Sequence, residues 1–414
     1  MEKTTVITNP SFHLKAGGRE RSDAEFLSYR KRWSENPERD IVDRFPIHLD
    51  IESTSACNLR CPMCFQARAE TRPEYGMMSM ELFRRIIDEG TRKGLASIKL
   101  QYRGEPLMSS SIEEMVAYAR NKGVVEVMFN TNATLLDEER ARKLVQAGLD
   151  RIICSIDGHT PEVYNAIRVF PHGPGEFDTV LKNIRGLRRI RDELGSETPF
   201  IRVQMVDMPE NRNYVQEYTK FWLENGADAV AVDEHMDYFS EFVELSRSRE
   251  EAEKKVRVYP EFRCEQPWQR LFVLYSGKVT MCCGDHYHHF PLGMLVSDEQ
   301  RAAYLEAVSA GIAAGRAEEC DGWVEVAHKK HHKEISKFVA SRGGQGQLEF
   351  VGVRDEYDNL VRAVPDIESI WLGMQMSDVR DRHRAGQSHE IDICASCSLR
   401  DATHRAYLRH SAIA

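Results

Sequence analysis

Pro46-Ile47-His48-Leu49-Asp50-Ile51-Glu52 runs, after Ser53-Thr54-Ser55-Ala56, into Cys57-Asn58-Leu59-Arg60-Cys61-Pro62-Met63-Cys64. Ile47, Leu49 and Ile51 alternate with His48, Asp50 and Glu52, the period of a strand, and proline is tolerated where a strand begins. The cysteines therefore lie in a loop at the C-terminal end of a first strand. The same unit recurs downstream. Ser79 can cap a helix whose Leu82, Phe83, Ile86 and Ile87 share one face. Residues 97–100 read as a strand, 112–121 as a helix and 124–129 as a strand. Asp137 can cap the next helix, with Leu144 and Val145 inward and Gly148 as its stop. Strands follow at 151–155, 200–205 and 229–232, with helices at 180–194 and 214–223, the last ended by Gly226. Strands alternating with helices in this way predict an α/β fold, a parallel sheet with helices outside, closed or partial as a barrel.

The pattern changes after about Met236. Residues 271–274 and 278–281 predict a hairpin turning at Ser276-Gly277. A charged helical segment with the run His328-Lys329-Lys330-His331-His332 follows, best read as a solvated helix face. Three regions result: an N-terminal arm with one helix (1–45), a (β/α)6 core (46–240), and a smaller C-terminal domain (241–414) with an insertion at about 297–366, expected to form a helical lid or an interface. The chain has 414 residues, 42% of them apolar and 29% charged, with a formal net charge of −9. That balance argues against nucleic acid or an anionic membrane as the main partner. No apolar run approaches the ~18 residues of a membrane span. Residues 1–30 are polar and show no signal-peptide core, so the expected location is the cytoplasm.

Ten cysteines carry the functional signal. In a large reduced protein, clustered cysteines more often bind metal or do chemistry than form disulfides. Cys57, Cys61 and Cys64 have the spacing C-x3-C-x2-C. Three close thiolates can hold three irons of a [4Fe–4S] cluster and leave the fourth iron open to a small molecule. A structural zinc site would normally supply a fourth local Cys or His, and none lies within the next dozen residues.

This spacing, with Phe65 beside the third cysteine, resembles the signature of the radical S-adenosylmethionine (SAM) enzymes. The resemblance implies that SAM chelates the open iron through its amino and carboxylate groups. One electron then breaks its sulfonium C–S bond, and the 5′-deoxyadenosyl radical takes a hydrogen atom from the substrate. It also implies an electron donor such as flavodoxin or ferredoxin. Tyr102-Arg103-Gly104-Glu105-Pro106 is similar to the family's G-G-E-P segment, with Arg103 in place of the first glycine and Glu105 as an acceptor for the SAM amino group. Asn130-Thr131-Asn132 stands where the family carries T-N-G. Ser155-Ile156-Asp157-Gly158 resembles its S-[IL]-D-G, with Ser155 and Asp157 toward SAM. Arg168 matches an arginine that pairs with a carboxylate. Plainer roles stand beside these. Asn130, Asn132, Ser155 and Asp157 are turn-capping types. Glu105 suits a helix N-terminus. Gln204 either faces SAM or lines the barrel, and Cys154 reads as core.

Cys264, Gly277 and Cys282, with the later pair Cys394 and Cys397, resemble the C-terminal auxiliary-cluster domain called SPASM, or its short form, twitch. The residues from Ile367 to Trp371 and around Arg380 are similar to the segment before its last C-x2-C. No cysteine follows Cys397, so the resemblance implies one auxiliary [4Fe–4S] cluster on these four. Cys283 beside Cys282 leaves that assignment open, and four thiolates also suit zinc. An auxiliary cluster with four protein ligands implies a two-electron oxidation, which needs a base; Asp233, Glu234, His235, Asp285 and His286 are the candidates. Twitch-type members act on sugars or aminocyclitols and on ribosomal peptides. Residues 1–45 lack the patterning of a leader-binding wing, which favours a small carbohydrate-like substrate and dehydrogenation of a secondary alcohol. The alternatives are epimerisation with Cys283 as hydrogen-atom donor, peptide modification, and a non-enzymatic iron–sulfur scaffold.

Overall fold

The computed structural model describes residues 5–8, 23–67, 72–234, 263–315, 317–320, 323–331, 334–342, 348–355, 359–395 and 397. Strand β1 (Thr5–Thr8) and helix α1 (Asp23–Arg39) precede a strand–helix series. It comprises β2 (His48–Ile51), α2 (Met80–Lys93), β3 (Ser97–Lys99), α3 (Ile112–Asn121), β4 (Glu126–Thr131), α4 (Glu138–Ala147) and β5 (Arg151–Ser155). It continues through α5 (Pro161–Ile167), α6 (Phe177–Glu193), β6 (Phe200–Asp207), α7 (Val215–Glu224) and β7 (Ala229–Glu234). Ser79 and Asp137 cap α2 and α4 as expected, their side chains accepting from the Leu82 and Arg140 amides. Gly148 ends α4 at φ 85°, a conformation that favours a residue without Cβ.

Strands β2 to β7 run parallel and neighbour one another in chain order. One face of each strand packs on the helices: Leu49, Ile51, Ile98, Val127, Phe129, Ile152, Cys154 and Val203 join Phe83, Val116, Leu144 and Leu187 in one core. Each such side chain contributes about 1.5–3 kcal/mol on burial. The opposite face is polar. Asp50 is paired there with Lys99 at 2.9 Å and Arg270 at 3.4 Å, Glu126 with Arg151 at 3.0 Å, and Asp233 with Arg202 at 3.7 Å. Parallel strands buried on both faces would be apolar throughout; the alternation that revealed β2 exists because its concave face lines a polar lumen.

The segment expected to be an arm contributes to this core. β1 pairs antiparallel with β7. On α1, Tyr29 reaches Glu126 at 3.4 Å and Trp33 meets the His48 ring edge-on at 5.6 Å. Burial, with Glu126 adding to it, pushes the Tyr29 phenol up to about 12. α1 therefore closes the end of the lumen where the strands begin.

β8 (Arg270–Val273) and β9 (Lys278–Thr280) form the expected hairpin, but β8 also pairs parallel with β2, so the sheet runs on without a break. It continues through β10 (Pro291–Leu295) and then, after helix Asp298–Ala313, takes in β11 (Ala317–Cys320), β12 (Trp323–His331), β13 (Glu334–Arg342), β14 (Leu348–Arg354) and β15 (Leu360–Val364). The two ends of the strand order do not meet, and the barrel is partial.

The 297–366 insertion is thus a correction to the sequence reading. Among its described residues only Asp298–Ala313 are helical, and the antiparallel strands β11 to β15 follow. The charged run at 328–331 lies on β12 and not on a helix, and His332 lies outside the described residues. Val324 and Val326, two apart, bury with Ala340 and Val308, and that period of two decides for strand over the helical reading of the charges.

Candidate functional site

The loop after β2 is wound so that its three thiols turn inward. The Cys64 amide donates to the Cys61 carbonyl at 2.9 Å, and a 3-10 turn, Phe65–Ala67, follows. Arg60 gathers the Cys57 and Leu59 carbonyls at 2.7 and 2.6 Å. Burial pushes the Cys57 thiol up to about 12, with Glu105 adding to it, and Cys64 up to about 11, with Cys61 adding to it. Burial also raises Cys61, against the pull of Arg168, whose Nη1 stands 3.8 Å from its sulfur. Three thiols, Cys61 buried and Cys57 and Cys64 half-buried, are poor as free thiolates where burial raises all of them and Cys61 adds to the other two. A bound cation reverses that balance.

The loops after the next strands close around them. Gly104 is required by backbone approach: a Cβ there would stand 2.2 Å from the Thr54 carbonyl oxygen. Glu105 is buried, and its carboxylate accepts from Leu107 N at 3.1 Å, Thr131 Oγ1 at 2.6 Å and Asn132 N at 2.7 Å, which ties the β3 loop to the β4 loop. The Asn132 amide donates to Asn58 Oδ1 at 2.9 Å, inside the cysteine loop. Asn130 Oδ1 is buried with no hydrogen-bond partner. Gln204 Nε2 donates to Ser155 Oγ at 3.4 Å. Asp157 is buried; it accepts from Val206 N at 2.8 Å and is ion-paired with Arg168. The carboxylate partner of Arg168 is therefore internal, and Asp157 aims that guanidinium at Cys61.

A group that sequence reasoning passed over is Glu52. It forms a buried pair with Arg103, the residue standing in the glycine position, at 2.6 Å, and Glu52 also accepts from Tyr275 N at 3.2 Å. Arg103 Nη1 in turn donates to the His286 carbonyl at 3.3 Å. The signal was present: Glu52 is the third polar residue on the concave side of the first strand.

The second cysteine set is drawn together from three segments. Cys264 precedes helix Gln266–Gln269, Cys282 and Cys283 follow β9, and Cys394 and Cys397 lie at helix Asp392–Ala395 and just beyond. Burial raises the Cys264 thiol, and Cys394, Cys397 and Cys283 add to it. The Cys282 thiol is raised first by the hydrogen bond with Cys283, then by burial and by the charges of Cys283, Cys397 and Cys394. Gln266 Nε2 donates to Cys283 Sγ at 3.1 Å. Five thiols, not four, thus share this region. Among the described residues no three His, Cys, Asp or Glu side chains converge as the ligands of a single ion.

The base candidates part company. Asp285 is buried and accepts from Thr280 Oγ1 and the His289 and Phe290 amides, holding its own turn. His286 stacks on Phe65 at 4.6 Å and 15°, and burial together with Arg103 lowers its imidazole to about 4. Asp233 lies on the lumen face beside Arg202. The Glu234 side chain and His235 lie outside the described residues.

Residues 51–220 match the family model of the Radical SAM superfamily. The chain carries a radical SAM domain. It is 31% identical over 188 residues to the tungsten-containing aldehyde ferredoxin oxidoreductase cofactor-modifying protein of Pyrococcus furiosus, covering 45% of this chain and 50% of that one. It is 38% identical over 156 residues to a probable GTP 3′,8-cyclase of Methanosarcina mazei, covering 36% of this chain and 45% of that one. The chain spans about half the length of the curated relatives it matches. Among solved structures, BtrN in complex with AdoMet and 2-DOIA aligns at 15% identity and a TM-score of 0.44, over 86% of this chain and 94% of that one. No helix among the described residues is long and apolar enough to cross a membrane.

The cofactors of radical SAM proteins are a [4Fe–4S] cluster and SAM. The first thiol set fits that cluster: three sulfurs at a strand end, no fourth cysteine or histidine in the sequence of the loop, Arg168 at one sulfur and the orphaned Asn130 Oδ1 on the next strand but one.

Proposed function

We propose that this radical SAM enzyme oxidises a secondary alcohol of a small carbohydrate-like substrate, with Cys57, Cys61 and Cys64 holding the SAM cluster. Phe65, Gly104, Glu105, Asn130, Asn132, Ser155, Asp157, Arg168 and Gln204 would surround SAM, directly or through the contacts above. Cys264, Cys282, Cys394 and Cys397 would hold an auxiliary cluster. When bound, these groups supply a hydrogen-abstracting radical and an acceptor for the second electron.

The observation that carries the reading is the polar lumen beneath the cysteine loop. Arg202 Nε and Asn130 Oδ1 are buried there without hydrogen-bond partners, one a donor and one an acceptor, on strands separated only by β5. That pairing suits hydroxyl groups, each of which both donates and accepts. Asp233, at the C-terminal end of β7, would take the proton released as the alcohol becomes a carbonyl. The electron donor would be a flavodoxin or ferredoxin.

Anaerobically reconstituted protein is expected to hold about eight irons per chain, from one three-thiol and one four-thiol set; a content near four, with zinc present, would remove the auxiliary cluster. The reaction itself is tested by incubating this protein with SAM, dithionite and candidate sugars in deuterated solvent. A product two mass units lighter than substrate, still formed by Cys283→Ala, supports oxidation. An isomer carrying solvent deuterium at one carbon, lost in Cys283→Ala, makes the enzyme an epimerase with that thiol as donor.

A further inference from the structure

His383 joins two cysteines that are distant in sequence. It lies in the last turn of helix Met374–Arg384 and is 3% exposed. Trp268 stands edge-on to its ring, with centroids 6.4 Å apart at 80°. The Cys264 amide donates to His383 Nδ1 at 3.3 Å, and Nε2 faces Cys394 Sγ at 3.8 Å. A ring nitrogen that accepts an N–H carries a lone pair and no proton. The proton of the neutral ring is therefore on Nε2, directed at the Cys394 sulfur. Hydrogen bonds to the sulfurs of an iron–sulfur centre are among the levers that set its reduction potential. Donation draws charge from the thiolate and favours the reduced form.

We infer that His383 is a positioning residue of the auxiliary centre, which donates from Nε2 to Cys394 Sγ, raises the potential of that centre and fixes Cys264 against Cys394. The inference rests on reading Cys264, Cys282, Cys394 and Cys397 as cluster ligands. Its place in the reaction is to make the second centre the better electron acceptor.

The test uses the full chain with Cys57→Ala, Cys61→Ala and Cys64→Ala, so that only the auxiliary centre is loaded. Irons per chain are counted first. A background that holds none sinks the auxiliary-cluster reading itself, before His383 is touched, and the inference with it. With about four irons present, a potentiometric titration followed by electron paramagnetic resonance compares two variants. His383→Asn keeps an acceptor near Nδ1 for the Cys264 amide but has no donor at Cys394. His383→Gln places an amide N–H near the Nε2 position. The expected result is full iron in both. The midpoint of His383→Asn falls by a tenfold change in the reduction equilibrium, about 59 mV for one electron, and that of His383→Gln stays close to the parent. An unmoved midpoint in His383→Asn, equal shifts in the two variants, or loss of iron from either one overturns the inference.

Discussion

Reductive cleavage of SAM to 5′-deoxyadenosine and methionine is expected to vanish when Cys57, Cys61 and Cys64 are together replaced by alanine. Each thiolate would hold one iron, and the sequence of the loop has no other cysteine or histidine. Each single replacement is expected to do the same, because a cluster on two thiolates lacks half its protein anchorage relative to a four-thiolate site. The fold should survive. The three thiols do not belong to the apolar core formed by the sheet and its helices, and the loop is held by backbone bonds and by Arg60. The measurement is chromatography of the nucleoside after anaerobic incubation with dithionite and SAM. Cleavage persisting in the triple variant would end the radical SAM assignment of these residues.

Glu52→Ala is expected to cost about 3–5 kcal/mol of stability, since it leaves the Arg103 guanidinium buried without its counter-ion. Glu52 is fully buried and the Arg103 side chain is 6% exposed, so solvent screens little of the loss. The double variant Glu52→Leu/Arg103→Met is expected to lose much less, because both desolvation penalties go with the pair. Urea unfolding of the reconstituted protein reads the difference. Equal losses in single and double variants would mean that the pair is not what stabilises this corner. The effect reaches function because Arg103 also holds the His286 carbonyl and Glu52 the Tyr275 amide. Losing the pair would loosen the loop that stacks His286 on Phe65.

The first half of the fold was readable because each strand has one apolar and one polar face. Leu49 and Ile51 point to helices while His48 and Asp50 point to the lumen, and that alternation is a local signal. The cysteine loop and the hairpin turn at Gly277 were local too. What failed was non-local. The pairing of β8 with β2 joins residues some 220 positions apart, and nothing within residues 270–273 announces a parallel neighbour. β12 to β14 were hidden under their charges. In the site, Glu105 and Asp157 were read both as neighbours of SAM and as local capping groups; in the structure Glu105 does cap the turn at Leu107 N, and the two carboxylates also hold Thr131, Asn132, Val206 and Arg168. His383 gave no signal, because a lone histidine near a helix end is ordinary until two distant cysteines are folded against it.

The unbroken pairing of β2, β8 and β9 has a consequence for how the two sulfur sets keep their distance. The cysteine loop after β2 and the turn after β9 that carries Cys282 and Cys283 spring from one hydrogen-bonded fabric with strands about 4.8 Å apart, so the separation of these two segments is a lattice constant of the sheet and not the length of a tether. Cys264, Cys394 and Cys397 join that turn from segments of their own. In such an arrangement the wiring is part of the wall.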